Sequence, residues 1–398
     1  MKINFSPIKF KGYDATPIKN LYMQGVPYKN TYGIFNELKK IGKKENFDVF
    51  IHSEAKMFDS LKDVGMDEYE DDIWAQDNKI LRPEAGGTKV LSPKLRVMES
   101  ILPIQFANLT HNKLDVTETV FEGGNLFIGK KDNGEEYILT GSKNLMVSSM
   151  MAFLNAKCVK EINRELLQEF SHYGKITTEE NGDGDWVYIK EWEDNQEIYN
   201  KIAIDTMAEE FGVKKENIFI IHQPNFHIDM NIRPIGYPYV LVNDPNLAIE
   251  NLEHVPLGKG IAEITENREE YRKKEYCEVE TTIKELESYG FKPIRIGGVY
   301  ASGEVNFLNA VVNKHEDGTI SYITNSSNCN KAGYSRLEKI FEKELKSKVP
   351  NLKKVYFVRG EKVGDKKLNI GNAMMESLLR ANGGVHCMTL EEPDFSKY

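Results

Sequence analysis

The hydrophobic positions of the chain follow one recurring order, in which a segment of helical period precedes a short apolar run. Apolar residues at a spacing of three or four predict an amphipathic helix, and apolar runs of four or five residues predict buried strands. The four predicted pairs are a helix at 31–43 with a strand at 47–51, 197–211 with 218–221, 266–289 with 293–296, and 336–348 with 355–358. We therefore expect an α/β fold.

The predicted helices are bounded and regularly spaced. Gly212 and Gly290 directly follow two of them and are typical helix stops. Three helices begin near residues 197, 267 and 336, about 70 residues apart, which indicates a structural repeat without clear sequence identity. Further helix is predicted at 144–173, and a hairpin is predicted from strands at 305–313 and 319–324.

No linker rich in proline or serine divides the 398 residues. The clearest exposed segment, at 179–185, is a short acidic loop. We therefore predict one domain over residues 1–398, with the helices on the outside. Residues 1–60 are expected to form its first repeat unit and an N-terminal extension.

Composition narrows the classes of partner and of cofactor. The net charge of −9 disfavours nucleic acid as a partner, because phosphate binding needs a basic face. The sequence contains no run of 18 apolar residues, so no membrane span is predicted. The N-terminus lacks the apolar core of a signal peptide. The four cysteines include no C-x-x-C pair, so neither a zinc motif nor a disulfide framework is predicted. We expect reduced thiols and a cytoplasmic protein.

Four segments carry side chains suited to attack on a guanidinium group. Cys387 follows two glycines and a histidine near the chain end, and the other segments are Trp74-Ala75-Gln76-Asp77, Glu122-Gly123-Gly124-Asn125 and His227-Ile228-Asp229. Carboxylates bind the planar cation, a thiolate attacks its central carbon, and histidine protonates the departing ammonia. Taken singly, each segment is more often structural: a buried thiol, a strand-edge pair, or a turn.

Together and in this order, the segments resemble the guanidino-group-modifying enzymes of the pentein superfamily. That family includes arginine, agmatine and peptidyl-arginine deiminases, and the resemblance spans about residues 70–395. It implies a five-bladed α/β propeller of pseudo-repeated ββαβ-type units, which agrees with the predicted repeat. It also implies a hydrolytic deiminase that acts through a covalent cysteine intermediate.

The resemblance assigns roles to particular positions. Cys387 matches the nucleophile of the motif G-x-x-H-C-x-T, and His227 matches the general acid and base of the pair H-x-D. Asp229 and Asp77 match the two carboxylates that hold the guanidinium. Glu122 matches the first residue of an E-G-G motif, which orients the histidine in the branches that act on small molecules.

Further residues are expected to line the substrate. Trp74 and Gln76 belong to the W-x-Q-D segment, and Asn309 resembles an asparagine near the site in a family strand. Arg233 departs from the family pattern after the H-x-D pair. It is interpreted as a ligand for a substrate carbonyl or carboxylate, or else as the partner of an acid.

The resemblance leaves the substrate open between two branches. Gln76 and the ending at 391–396 favour peptidyl-arginine deiminases, which give citrulline and ammonia, so peptidyl-arginine is the first prediction. The segment Glu122-Gly123-Gly124-Asn125 is closer to the enzymes of agmatine and free arginine, so a small guanidine is the alternative. An amidinotransferase and a non-catalytic binding protein would have the same fold, and both functions stay open at this point.

No metal or redox cofactor is expected to take part in the chemistry. Calcium at the loop Asp183-Gly184-Asp185 is an alternative, but Trp186 stands where a calcium-binding EF-hand loop needs glycine. A solvated acidic loop is therefore the default interpretation of this segment.

Overall fold

The structure is a computed structural model, and it describes twelve stretches of the chain: residues 14–25, 32–53, 78–81, 88–94, 97, 102–157, 191–223, 227–253, 268–300, 305–327, 334–360 and 384–397. Within these stretches the strands form six sheets. Five sheets have three strands, and the sixth is a two-stranded pair, β12 (Val299–Tyr300) with β13 (Val305–Asn306).

The five three-stranded sheets share one pattern. A middle strand pairs antiparallel with one neighbour and parallel with the other. The middle strands are β1 (Ile18–Gly25), β4 (Lys89–Pro93), β7 (Glu136–Gly141), β10 (Tyr239–Asn243) and β15 (Ile320–Asn325). Their antiparallel partners are β17 (Thr389–Pro393), β3 (Lys79–Leu81), β6 (Leu126–Lys130), β9 (Ile232–Gly236) and β14 (Ala310–Lys314). Their parallel partners are β2 (Asp48–Ser53), β5 (Lys113–Thr117), β8 (Ile218–Ile221), β11 (Lys292–Ile296) and β16 (Leu352–Val358).

A helix lies in the connection between the two parallel strands of every three-stranded sheet. Parallel strands need such a crossover, because a tight turn can join only antiparallel ones. The helices are, in chain order, α1 (Tyr32–Glu45), α2 (Leu102–Leu109), α3 (Ser142–Ala156), α4 (Gln196–Phe211), α5 (Pro245–Glu253), α6 (Arg268–Ser288) and α7 (Tyr334–Lys348). None of the helices in the described part of the chain is long and apolar enough to cross a membrane.

The helix α1 shows how the sequence pattern produces this packing. Ile34, Leu38 and Ile41 are buried at helical spacing, and they pack in one cluster with Phe47 and Val49 at the following strand. Lysines occupy the other positions late in the helix. One face of α1 therefore covers the sheet, and the other face is polar.

The middle strand β10 shows why the sheets read as continuous apolar runs. Val240, Leu241 and Val242 are all buried, although successive side chains point to opposite faces. Leu241 packs in one apolar cluster and its two neighbours pack in another. Both faces of the strand are covered, so no polar alternation appears.

The sequence predictions of the fold class and of the main elements are confirmed. The structure is α/β, and the four predicted helices match α1, α4, α6 and α7 within about two residues. Gly212 caps α4 with a φ of 62°, and Gly290 follows α6 with a φ of 84°. The predicted helix at 144–173 corresponds to α3 as far as residue 157, and the rest lies outside the described residues.

One pairing joins segments that are far apart in the sequence and positions the chain end. In the first sheet, β17 runs antiparallel to β1, with Leu21 opposite Glu391. The Tyr22 hydroxyl donates a hydrogen bond of 2.6 Å to Glu392, and the backbone N–H of Gln24 donates to the carbonyl of Met388 at 2.8 Å. The segment before β17 is thereby held at the edge of this sheet.

Candidate active site

Four chain segments deliver the candidate side chains to one place. Glu122 comes directly before a 3-10 turn, Gly123–Asn125, that leads into β6, and His227 comes directly before a second 3-10 turn, Ile228–Met230, that leads towards β9. Asn309 lies just before β14, and Cys387 lies two residues before β17. All four side chains therefore project from the ends of strands rather than from their middles.

Asp229 is the centre of the cluster. Its carboxylate oxygen Oδ2 lies 2.8 Å from Asn309 Nδ2, 2.8 Å from His386 Nδ1 and 3.8 Å from Cys387 Sγ. One ligand atom each from His227, Asp229 and Cys387 lies within 4.8 Å of the other two. Asp229 is fully buried, so its charge acts in a medium that screens it little.

Glu122 orients the imidazole of His227. The distance from His227 Nε2 to Glu122 Oε2 is 3.0 Å, and Asn125 Nδ2 donates to the same carboxylate oxygen at 3.1 Å. Asn125 Oδ1 in turn accepts a hydrogen bond of 2.9 Å from the backbone of Ile228. The first turn thus carries both the carboxylate and the amide that fix the position of the histidine.

Asn309 contacts both Cys387, the candidate nucleophile, and the central carboxylate. Its Nδ2 lies 3.0 Å from Cys387 Sγ as well as 2.8 Å from Asp229 Oδ2, and its Oδ1 accepts from the backbone N–H of His386 at 3.0 Å. A donor at this position stabilises a thiolate, because hydrogen bonds to a charged acceptor are stronger than neutral ones. Asn309 is therefore placed to hold both the sulfur of Cys387 and the carboxylate of Asp229.

Two glycines let the backbone approach these side chains. A Cβ atom on Gly124 would lie 2.5 Å from His227 Nδ1 and 2.9 Å from Asp229 Oδ1. A Cβ atom on Gly384 would lie 2.4 Å from Asn309 Oδ1. All three distances are shorter than non-bonded contacts allow, so any larger residue would displace a candidate side chain.

A buried arginine lies close to the candidate site. Arg233 is fully buried, and its Nη2 lies 3.4 Å from Glu391 Oε1 and 3.8 Å from Asp14 Oδ1. Its guanidinium carbon lies 5.3 Å from the centre of the Phe127 ring. Of the two roles that the sequence left open for Arg233, these contacts match the pairing with acids. They do not match its interpretation as a substrate ligand.

Burial shifts the pKa values of two residues near Arg233 in opposite directions. Burial raises the pKa of Glu391 to about 7, against the opposing effect of Arg233. Burial, together with the charge of Arg233, lowers the pKa of His386 to about 4, although Asp229 opposes the shift. His386 is therefore neutral near pH 7, and its Nδ1 carries the proton donated to the Asp229 carboxylate.

The described residues offer two sets of side-chain atoms that are close enough to hold a metal ion. One set comes from His227, Asp229 and Cys387, and the other from Asp14, His386 and Glu391. The cation Arg233 already lies against Glu391 in the second set, which disfavours a further cation there.

Comparison with known proteins identifies the fold. No protein-family model matches the chain, and no curated protein matches its sequence. Among solved structures, agmatine deiminase from C. jejuni is 15% identical over 98% of both chains, with a TM-score of 0.52. A structural-genomics target provisionally named an agmatine deiminase is 13% identical over 96% of both chains, with a TM-score of 0.51. The chain has the fold of these proteins.

The resemblance to penteins that the motifs indicated is thus confirmed at the level of the fold. A third solved structure, the arginine dihydrolase ArgZ of the cyanobacterial ornithine–ammonia cycle, is 12% identical over 94% of this chain and 39% of its own, with a TM-score of 0.41.

Three predicted site residues, Trp74, Gln76 and Asp77, lie outside the described residues, as does the acidic loop at 183–185. The chain resumes at Asn78, and Lys79 opens β3 with its side chain buried. Lys79 Nζ lies 3.5 Å from the carbonyl of Gly123, in the turn that follows Glu122. Where the described chain resumes, strand β3 therefore contacts the turn that follows Glu122.

The contacts add residues that the sequence did not single out. His386 contacts Asp229, Asn125 supports Glu122, and Asp14 and Glu391 flank Arg233. The adjacency of His386 to Cys387, and of Asn125 to the E-G-G motif, was the only sequence signal for these contacts. Asp14 and Glu391 meet Arg233 only through the pairing of distant segments.

Proposed function

We propose that the protein is a hydrolytic deiminase of a guanidino group. The observation that carries this proposal is the cluster of Cys387, His227 and Asp229, whose ligand atoms lie within 4.8 Å of one another, with Glu122 3.0 Å from the histidine. A thiol, an oriented imidazole and a buried carboxylate are the groups that attack on a bound guanidinium needs. The fold likeness to agmatine deiminases supports the same reaction class.

In the proposed first half-reaction, Asp229 and Asp77 hold the guanidinium. The thiolate of Cys387 attacks the central carbon, so a C–S bond forms, and the bond to one amino nitrogen breaks. His227, oriented by Glu122, gives a proton to the departing nitrogen, which leaves as ammonia. The product on the enzyme is a thiouronium adduct.

In the second half-reaction, water replaces the sulfur. His227 takes a proton from the water, whose oxygen attacks the same carbon, and the C–S bond breaks to return the thiolate. The sum is one guanidinium and one water converted into a ureido compound and ammonium. We propose no metal or redox cofactor for these steps.

Agmatine or another small guanidine is the first proposed substrate. The solved structure that supports it is the agmatine deiminase that matches 98% of both chains. Peptidyl-arginine, which Gln76 and the ending at 391–396 favour, is the second candidate. We also propose that the chain forms a five-bladed propeller, that residues 1–398 are a single domain, and that the protein is cytoplasmic. The five sheets of one pattern support the propeller.

The decisive experiment compares substrates and a nucleophile variant. We expect ammonia and a ureido product from agmatine, and loss of both in Cys387→Ala, because the C–S bond cannot form. Cys329→Ala is the matched control and should retain turnover. Circular dichroism checks that each variant is folded. Turnover in folded Cys387→Ala would overturn the proposal.

The same assay separates the remaining functions. Citrulline formed only within an arginine-containing protein would replace agmatine with the peptidyl substrate, and citrulline from free arginine alone would exclude both. Turnover that needs an added amine acceptor and releases little ammonia would indicate an amidinotransferase. Binding of guanidines without turnover would indicate a binding protein.

A further inference from the structure

His386 is a buried titratable residue that the proposed steps do not use. It directly precedes the nucleophile, it is 2% exposed, and its Nδ1 lies 2.8 Å from Asp229 Oδ2. The ring stacks on Phe127 at 5.8 Å between centroids and 29° between planes. The backbone N–H of His386 donates to Asn309 Oδ1. The ring is therefore held at Nδ1 and on one face, and the backbone that carries it is held by Asn309, against the carboxylate that is proposed to hold the guanidinium.

The two oxygens of Asp229 have unequal environments. Oδ2 receives the hydrogen bonds from His386 and Asn309, which occupy its two lone pairs. Oδ1 is buried and has no hydrogen-bond partner among the described residues. A buried acceptor without a donor is costly, so Oδ1 is the oxygen that remains for a ligand N–H.

We propose that His386 is a positioning residue, which holds Asp229 so that Oδ1 alone meets the substrate guanidinium. This proposal rests on the proposed deiminase function. It predicts a one-oxygen contact from Asp229 rather than a two-oxygen fork, because Oδ2 is already occupied. The donor that holds Asp229 must also leave its negative charge uncompensated.

The groups around the His386 ring favour a neutral imidazole, which leaves the negative charge of Asp229 uncompensated. Arg233 and Lys79 disfavour a charged imidazole, and burial does so more strongly. A neutral donor orients Asp229 without pairing with its charge, whereas lysine or arginine at this position would compete with the substrate cation. Arg233 itself lies against Glu391 and Asp14 through its Nη2 atom.

A pair of alkylating agents tests the proposal without turnover. Chloroacetamidine is a cation that resembles a guanidinium, and chloroacetamide is its neutral counterpart with the same leaving group. The ratio of their rates of reaction with Cys387 measures how well the carboxylates hold a cation near the sulfur. Peptide mass mapping assigns the label to Cys387 among the four cysteines.

We expect His386→Leu to lower this ratio about tenfold, because Asp229 Oδ2 loses one of its two hydrogen-bond donors, while the rate with chloroacetamide changes by less than about threefold. His386→Asn places an amide N–H near the position of Nδ1, so it should keep the ratio within about threefold of the unsubstituted protein. His386→Gln places its N–H near Nε2 and should behave like His386→Leu. In steady-state assays with a guanidine that the protein converts, His386→Leu should raise KM by a larger factor than it lowers kcat.

The outcomes are distinct. Equal loss of both alkylation rates in His386→Leu, or equal ratios in the Asn and Gln variants, would reduce His386 to a structural residue and overturn the proposal. If His386→Leu is unfolded, the comparison of Asn with Gln decides alone. If the unsubstituted protein does not prefer the cation, the proposed guanidine site itself fails.

Discussion

At the scale of single residues, Glu391 and His386 are titratable groups whose shifts oppose each other across Arg233. The pKa of Glu391 is raised from 4.5 to about 7, and the pKa of His386 is lowered from 6.5 to about 4. Between about pH 4.5 and pH 7 the folded chain holds a proton on Glu391 that the unfolded chain has released. Between about pH 4 and pH 6.5 it lacks a proton on His386 that the unfolded chain has gained. Folding therefore links to pH in both directions.

The variant Glu391→Gln isolates one of these effects. Because the folded pKa is raised, the carboxyl contributes stability below about pH 4.5 that is lost as pH rises through 7. We expect the unsubstituted protein to lose about 1–3 kcal/mol of unfolding free energy relative to Glu391→Gln between pH 5 and pH 8. Urea unfolding at four pH values measures it.

The matched control is Glu316→Gln, at a glutamate whose side chain is 75% exposed. Its unfolding free energy should follow that of the unsubstituted protein across the same pH range. A difference between Glu391→Gln and the unsubstituted protein that stays constant with pH would refute the raised pKa of Glu391.

Residue chemistry, together with the resemblance to penteins, indicated most of the candidate site. The thiol, the histidine, Glu122, Asp229 and Asn309 were predicted, and the structure brings them together. The pairing of Arg233 could not be chosen from the sequence. It depends on Asp14 and Glu391, which lie at opposite ends of the chain and meet only after folding.

At the scale of elements, two short turns form the contact that aligns the histidine with the central carboxylate. Gly123–Asn125 packs against Ile228–Met230, and Asn125 Oδ1 accepts from the backbone of Ile228. The absence of a side chain on Gly124 is what lets the turns approach. The E-G-G motif therefore serves backbone packing as well as chemistry.

The variant Gly124→Ala tests this packing. The added Cβ would meet His227 Nδ1 at 2.5 Å, so the imidazole must move. A displacement on the order of 1 Å costs about 10²-fold in rate, so we expect kcat/KM for the guanidine substrate to fall about 100-fold. Steady-state ammonia release measures it, with the melting temperature followed in parallel.

The control is Gly134→Ala, in a surface turn where the nearest atom to an added Cβ is 3.8 Å away. Its φ of 84° disfavours alanine, so we expect a loss of about 1 kcal/mol in stability with unchanged kcat/KM. Equal activities of the two variants would show that the close approach at Gly124 is unimportant.

Local pattern predicted α1, α4, α6 and α7 and part of α3, but it missed the shorter helices α2 and α5, which have eight and nine residues. It did not predict the pairing partners of the strands, since partners such as β1 and β17 lie far apart in the sequence. The sheet of β3, β4 and β5 was also missed. Its strands hold at most two consecutive apolar residues, whereas the predicted strand β8 is a run of four.

At the scale of the whole molecule, the pairing of β17 with β1 makes the position of Cys387 depend on both ends of the described chain. Leu390 on β17 is fully buried in one apolar cluster with Tyr22 and Phe106. Leu345 on α7 is 1% exposed in a different cluster. The two leucines are equally buried, but only Leu390 lies near Cys387 in the chain.

This difference predicts where weakened packing becomes visible. Leu390→Ala and Leu345→Ala should each lower the unfolding free energy by about 2–5 kcal/mol. A bulky thiol reagent is added at urea concentrations below the unfolding midpoint. It should label Cys387 at least fivefold faster in Leu390→Ala than in Leu345→Ala at matched stability. The reason is that strand β17 can detach locally and carry the thiol with it. Equal labelling at matched stability would mean that Cys387 is exposed only by global unfolding, and that both chain ends belong to one cooperative unit.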